Sequence, residues 1–170
     1  PESMELDPFL DLLSALDRGE ADTRDDIRGM LKNHPGGIPL TLFVSTHCLY
    51  CPGVMRQIAP LPLIHPGIHL TVIDGLLFPD LASAEGIQAV PTVIGEGGVR
   101  WTGQIRLETV IETLTQKDEG RFSREILEQM ITEGNAGPLA DRMIRAGRLL
   151  PALLDVLTSD LFSIRLGAMV

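Results

Sequence analysis

Thr41-Leu42-Phe43-Val44-Ser45-Thr46-His47-Cys48-Leu49-Tyr50-Cys51-Pro52 is the stretch that decides the fold. It opens as an apolar, strand-prone run, passes through Cys-X-X-Cys, and reaches a proline suited to the first turn of a helix. Both cysteines of the 170-residue chain stand here, three positions apart. A thiol pair on a strand-to-helix turn is a redox arrangement. The helix N-terminus presents unpaired N–H groups and partial positive charge, and both favour thiolate. Three residues form too short a loop for an ordinary structural staple, so the pair reads as catalytic and the compartment as reducing.

Outward from this stretch the pattern alternates. Residues 39–45 predict a buried strand, and the helix after Cys48 is expected to run to about Leu61. Residues 68–73 form a second strand, broken by Asp74-Gly75, and Pro79 opens a short helix that Gly86 closes. Pro91 heads a third strand (Thr92-Val93-Ile94). Glu96-Gly97-Gly98 turns it back into Val99-Arg100-Trp101-Thr102, a hairpin signature. Residues 106–116 close the unit with an amphipathic helix. The order β-α-β-α-β-β-α over residues 38–116 is that of a minimal thioredoxin/glutaredoxin-like α/β core, with a parallel pair joined through a helix and an antiparallel terminal hairpin.

Two helical regions flank that core. Residues 1–37 predict an N-terminal helical hairpin. Leu6, Phe9, Leu10, Leu13 and Leu16 fall at helical spacing in its first helix, and Thr23 is placed to cap its second. One amphipathic face cannot be buried alone, so this hairpin is expected to pack on something else. Residues 117–170, after Lys117-Asp118-Glu119-Gly120, form an all-α extension. Its Leu153-Leu154-Asp155-Val156-Leu157 and Arg165-Leu166-Gly167-Ala168 resemble one unit of a HEAT-type repeat, and Ser159 could cap the last helix. These helices are a candidate surface for docking a protein partner.

Composition narrows the function classes. The chain carries 23 acidic and 14 basic residues, a net charge of −9, which argues against nucleic acid or an anionic membrane as partner. Nine of the acidic residues fall within residues 1–35, against four basic ones, so the acidity is concentrated at the N-terminal end. No apolar run approaches a membrane span and no leader pattern is visible, so a cytoplasmic protein is expected.

Three readings of the cysteines stay open on residues alone. In the leading one, Cys48 at the exposed helix tip attacks a disulfide and Cys51, one turn in, resolves the mixed disulfide. In the second, the pair senses redox state without turnover while the helices bind a partner. In the third, it is half of a zinc site completed from His34, His47, His65 or His69, although Pro66 and Gly67 interrupt the His65–His69 spacing. The leading reading implies no cofactor and no metal. Its partners are a disulfide-containing protein and an electron-donor reductase. His47 could stabilise the neighbouring thiolate, but it reads first as a solvent-exposed bystander.

Three motifs in order carry a family resemblance: Val44-Ser45-Thr46-His47-Cys48-Leu49-Tyr50-Cys51-Pro52, then Val72-Ile73-Asp74-Gly75-Leu76-Leu77-Phe78, then Ala89-Val90-Pro91-Thr92-Val93. Over residues 38–116 the chain resembles the second, redox-active lobe of the N-terminal domain of the bacterial alkyl hydroperoxide reductase flavoprotein. The resemblance implies dithiol–disulfide exchange with a protein partner at Cys48 and Cys51. It also implies a cis-proline at Pro91, leaving the Val90 backbone to pair with an extended substrate beside Leu49 and Tyr50. Leu49-Tyr50 lacks the inserted histidine of strongly oxidising relatives, which points to a reductant. The Gly95-Glu96-Gly97-Gly98 turn is no dinucleotide loop. The site six residues before Cys48, which in thioredoxin holds a buried acid, is Leu42.

Overall fold

The computed structural model describes residues 6–19, 25–32, 34, 37–115, 124–132, 134, 136–147, 149–160 and 162–169. The cap assigned to Thr23 and the boundary stretch 117–120 lie outside the described residues. Four strands, β1 (Ile38–Val44), β2 (Ile68–Asp74), β3 (Thr92–Ile94) and β4 (Arg100–Thr102), form one sheet in the order β2-β1-β3-β4. β1 pairs parallel with β2 along its whole length, Ile38 opposite Ile68 and Val44 opposite Asp74. β1 pairs antiparallel with β3, and β3 with β4.

β1 is central: one of its faces is apolar throughout, and the other buries Phe43 towards its C-terminal end. Strand alternation divides its side chains. Ile38, Leu40, Leu42 and Val44 join the main core with Ile68, Val93 and Trp101. That face is covered by α3 (Cys51–Ile58), through Val54, Met55 and Ile58, and by α6 (Leu107–Thr115), through Leu107, Val110, Ile111 and Leu114. Phe43 takes the other face and is buried there. The short α5 (Pro79–Ala84), by contrast, contains no buried residue.

The helix expected to reach Leu61 is two helices. α3 ends at Ile58, and α4 (Leu61–Ile64) follows after Ala59-Pro60. Pro60 has no N–H to continue the ladder of α3, and Pro62 falls at the start of α4, where a missing N–H does no harm. The Glu96–Gly98 turn places Gly97 at φ +74° and Gly98 at φ +78°, backbone that L side chains rarely adopt.

Gly95, just before that turn, is fixed by proximity. A Cβ built there would lie 2.8 Å from Leu114 Cδ2 and 3.1 Å from Trp101 Cζ3. Both neighbours are buried, so the added methyl must displace packed core atoms. Gly95→Ala is therefore expected to destabilise the fold by about 1–3 kcal/mol, read as a lower urea midpoint at unchanged slope. A midpoint equal to wild type would show that the core has slack there.

The N-terminal helices, α1 (Leu6–Arg18) and α2 (Asp25–Lys32), dock on different core helices, α1 on α3 and α2 on α6. α2 buries Ile27 and Leu31. α1 does the reverse of what its periodicity suggests. Its buried residues are Pro8 and Ala15, and its leucine stripe faces outward, with Leu6, Phe9, Leu10, Leu13 and Leu16 each 42–50% exposed. The docked face is the one that carries small residues and Asp11, whose carboxylate accepts a hydrogen bond from Arg56 Nε of α3 at 2.9 Å.

The C-terminal helices are α7 (Arg124–Thr132), α8 (Ala136–Ala146), α9 (Pro151–Leu157) and α10 (Phe162–Ala168). α7 packs against each of the other three, and α9 against α10. Their buried Leu127, Met130, Leu139, Leu153, Val156 and Ile164 belong to the same continuous apolar cluster as the sheet. Ser159 is buried between α9 and α10, and its carbonyl accepts a hydrogen bond from Arg165 at 2.8 Å.

Candidate active site

The site stands at the C-terminal end of β1. Beyond Val44 the chain turns at once: Ser45 O accepts from the Cys48 N–H at 3.0 Å, and Ser45 Oγ accepts from the His47 N–H at 3.4 Å. This double use of Ser45 sets Cys48 on the turn and starts α3 three residues later. Pro52 occupies the first turn of α3, where the sequence expects it.

Cys48 and Cys51 are joined as a disulfide, with their Cα atoms 5.4 Å apart. The separation is that of ordinary bridged cysteines. The two sulfurs differ in surroundings: Cys51, the first residue of α3, is fully buried, whereas Cys48 is half-buried on the turn. The Cys51 N–H donates to Cys48 Sγ at 3.1 Å. A backbone donor aimed at a sulfur favours its anionic form, because the bond is stronger to a thiolate than to a thiol. Between the cysteines, Leu49 and Tyr50 project outward, 75% and 59% exposed.

The third element arrives from β3. The Val90–Pro91 peptide bond is cis, and Val90 O lies 3.5 Å from Cys48 Sγ. The loop that carries it is tied down behind. Thr92 Oγ1 donates to Ala89 O at 2.7 Å and contacts Thr102 Oγ1 at 2.9 Å, while Gly103 N–H donates to Pro91 O at 2.9 Å. Pro91 is buried and Val90 half-buried. The structure thus brings together Cys48, Cys51, Val90 and Pro91, with Leu49 and Tyr50 at the rim.

The histidines do not join them. His34 and His65 meet edge to face at the start of β1 and β2, with His65 Nε2 3.1 Å from His34 O and His65 Nδ1 accepting from Gly67 N–H. The seven residues of β1 put them roughly 20 Å from the thiols. His47 is exposed, with Nδ1 3.2 Å from Thr46 Oγ1. Among the described residues no three of His, Cys, Asp and Glu cluster as metal ligands. Leu42, six residues before Cys48, is fully buried. Sequence reasoning missed Ser45 and Thr92. The signal for Ser45 was present, since a serine directly after a strand offers both a turn carbonyl and a hydroxyl.

Residues 40–116 match the thioredoxin domain family. The fold is thioredoxin-like. The chain is similar to a protein named NADH dehydrogenase from Ferdinandcohnia aciditolerans, 32% identical over 99 residues, covering 58% of this chain and 18% of that protein. It is also similar to the AhpF component of the Pseudomonas aeruginosa alkyl hydroperoxide reductase, 28% identical over 106 residues, 62% of this chain and 19% of that one. The chain therefore spans about a fifth of the length of the curated relatives it matches. Among solved structures, the N-terminal domain of alkylhydroperoxide reductase AhpF from Enterococcus faecalis superposes with a TM-score of 0.59 at 22% identity, covering 67% of this chain and 55% of that one. A protein disulfide oxidoreductase from Aeropyrum pernix superposes at 0.56 and 22% identity, covering 72% and 55%. Within the thioredoxin-like fold, the resemblance to the AhpF N-terminal domain holds. No helix among the described residues is long and apolar enough to cross a membrane.

Proposed function

We propose that this protein is a dithiol–disulfide oxidoreductase that reduces a disulfide in a protein substrate, with Cys48 as nucleophile and Cys51 as resolving thiol. The observation that carries the proposal is the pairing of a half-buried Cys48 sulfur, facing a backbone N–H donor, with a fully buried partner sulfur. The Cys48 thiolate attacks one sulfur of the substrate disulfide and expels the other as a thiolate, which takes a proton from solvent. Cys51 then loses its proton and attacks Cys48 Sγ, forming the intramolecular disulfide and releasing the second substrate thiol. Two electrons pass from the dithiol to the substrate, and an electron-donor reductase restores the dithiol. No cofactor or metal enters these steps. Cytoplasmic operation agrees with a reducing compartment.

Val90 and Pro91 serve the substrate side. A carbonyl beside the attacking sulfur offers an extended substrate one backbone hydrogen bond, which aligns its disulfide with Cys48. The uncharged, exposed Leu49 and Tyr50 give that segment an apolar rest.

Alkylation tests the nucleophile. In the reduced protein, iodoacetamide is expected to modify Cys48 first, with a pH–rate midpoint below the value of about 8.5 for a free cysteine. Cys51, enclosed in the core, should react only after unfolding. A Cys48 midpoint at or above the free value would remove the chemical basis of the proposal.

A further inference from the structure

Beside Val90 lies a cavity of about 190 Å³, lined by Gly75, Leu76, Ala82, Ile87 and Val90 among others, with Ser45 and Gln88 as its polar members. We propose that it receives an apolar side chain of the substrate polypeptide, two positions from the cysteine that Cys48 attacks. The inference deepens the proposed exchange reaction and rests on it.

Continuity places the cavity in the substrate's path. Val90 lines it and also holds its carbonyl 3.5 Å from Cys48 Sγ, so a strand paired with the Val90 backbone passes the cavity mouth. In an extended chain, residues two apart project to the same side, roughly 6.8 Å apart along the strand. A segment whose cysteine reaches Cys48 therefore presents its second neighbour to this side of the loop.

Size and chemistry select the occupant. The space is many times what one water needs yet below the range of small-molecule pockets, the scale of a single side chain. No lining residue carries a charge. The room exists because two small residues meet there: a Cβ on Gly75 would lie 3.6 Å from Ala82 Cβ. Asp74 stands near the rim, but its Oδ1 accepts the Leu76 and Leu77 N–H groups at 2.8 and 3.2 Å, which fixes Leu76 as a wall. Leu76, Leu77 and Phe78, at 60%, 72% and 53% exposure, continue the apolar surface outward. A carboxylate near the rim and no cation in the lining disfavour an acidic side chain.

The test compares disulfide-bearing peptides with leucine, glycine or aspartate two positions from the reactive cysteine, with dithiothreitol as reductant. Wild type should prefer leucine to glycine by about 10- to 100-fold in kcat/KM, with aspartate no better than glycine. Ala82→Phe, which fills the cavity from α5, should bring the leucine-to-glycine ratio below about threefold. Equal use of leucine and glycine peptides by wild type, or an unchanged ratio in Ala82→Phe, overturns the proposal. The wild-type comparison stands even if the variant does not fold. Turnover of oxidised 2-mercaptoethanol by wild type reports on exchange alone. Its absence removes the exchange reading and this proposal together, whereas its presence without a peptide preference removes only this one.

Discussion

Cys48→Ser is expected to lower turnover of a protein disulfide by on the order of a thousandfold or more, to the background rate of the added dithiothreitol. The loss is this large because no other described group can form the covalent intermediate: the remaining thiol, Cys51, is fully buried. Cys51→Ser should behave differently. It keeps the attacking sulfur and loses the intramolecular second step, whose advantage is an effective molarity far above that of any external thiol. Substrate should accumulate on Cys48 as a mixed disulfide, visible by mass and reversed by excess reductant. If Cys48→Ser formed that adduct through Cys51, the assignment of roles would be inverted. If neither variant changed turnover, exchange at this pair would be ruled out.

Leu42→Asp carries the largest expected effect on stability. Leu42 is fully buried and sits between Val72 and Val93 in the sheet, six residues before Cys48. Removing it forfeits about 1.5–3 kcal/mol of apolar burial, and an unpaired buried carboxyl adds several more. The sum, more than about 4 kcal/mol, is a large part of the roughly 5–15 kcal/mol that holds a domain folded. The penalty has a pH signature. Burial disfavours the carboxylate, so the folded pKa rises above the unfolded value of about 3.9. The folded state then binds more protons, and stability falls as pH rises from that value, by about 1.36 kcal/mol per unit, until the folded group ionises. Urea melts at pH 4 and pH 7 read this directly, and Leu42→Asn should show the loss without the slope. A Leu42→Asp protein as stable as wild type at pH 7 would mean that water reaches this position.

The site was legible in the sequence to the extent that its chemistry is local. Cys-X-X-Cys between an apolar strand and a helix-starting proline specifies a turn, and Val90-Pro91 ahead of Thr92-Val93-Ile94 specifies the start of a strand. What brings Val90 O to Cys48 Sγ is sheet order, a non-local property that the motif order supplied through resemblance. α1 shows the limit of periodicity. Five apolar residues at helical spacing state that a face exists, but the face that docks is chosen by fit, and Pro8, Ala15 and the Asp11–Arg56 pair fit α3. The break after Ile58 was written in Ala59-Pro60-Leu61-Pro62, where each proline removes a donor, although the apolar pattern runs on through it. Ser45 and Thr92 were overlooked because polar residues at strand ends read as solvated until their partners are known.

The unequal anchoring of the two walls around Val90 has a dynamic consequence. β1 is paired on both edges at Thr41, Leu42 and Phe43, and every residue but Pro39 is at least half-buried, so its amides are expected to exchange only when much of the domain opens. α5 contributes no buried side chain and detaches at far lower cost. The sulfur side of the site is thus held as firmly as the fold itself. The Ala82 side is expected to open at lower cost, so that side chains of different bulk can be admitted beside a disulfide whose position does not change.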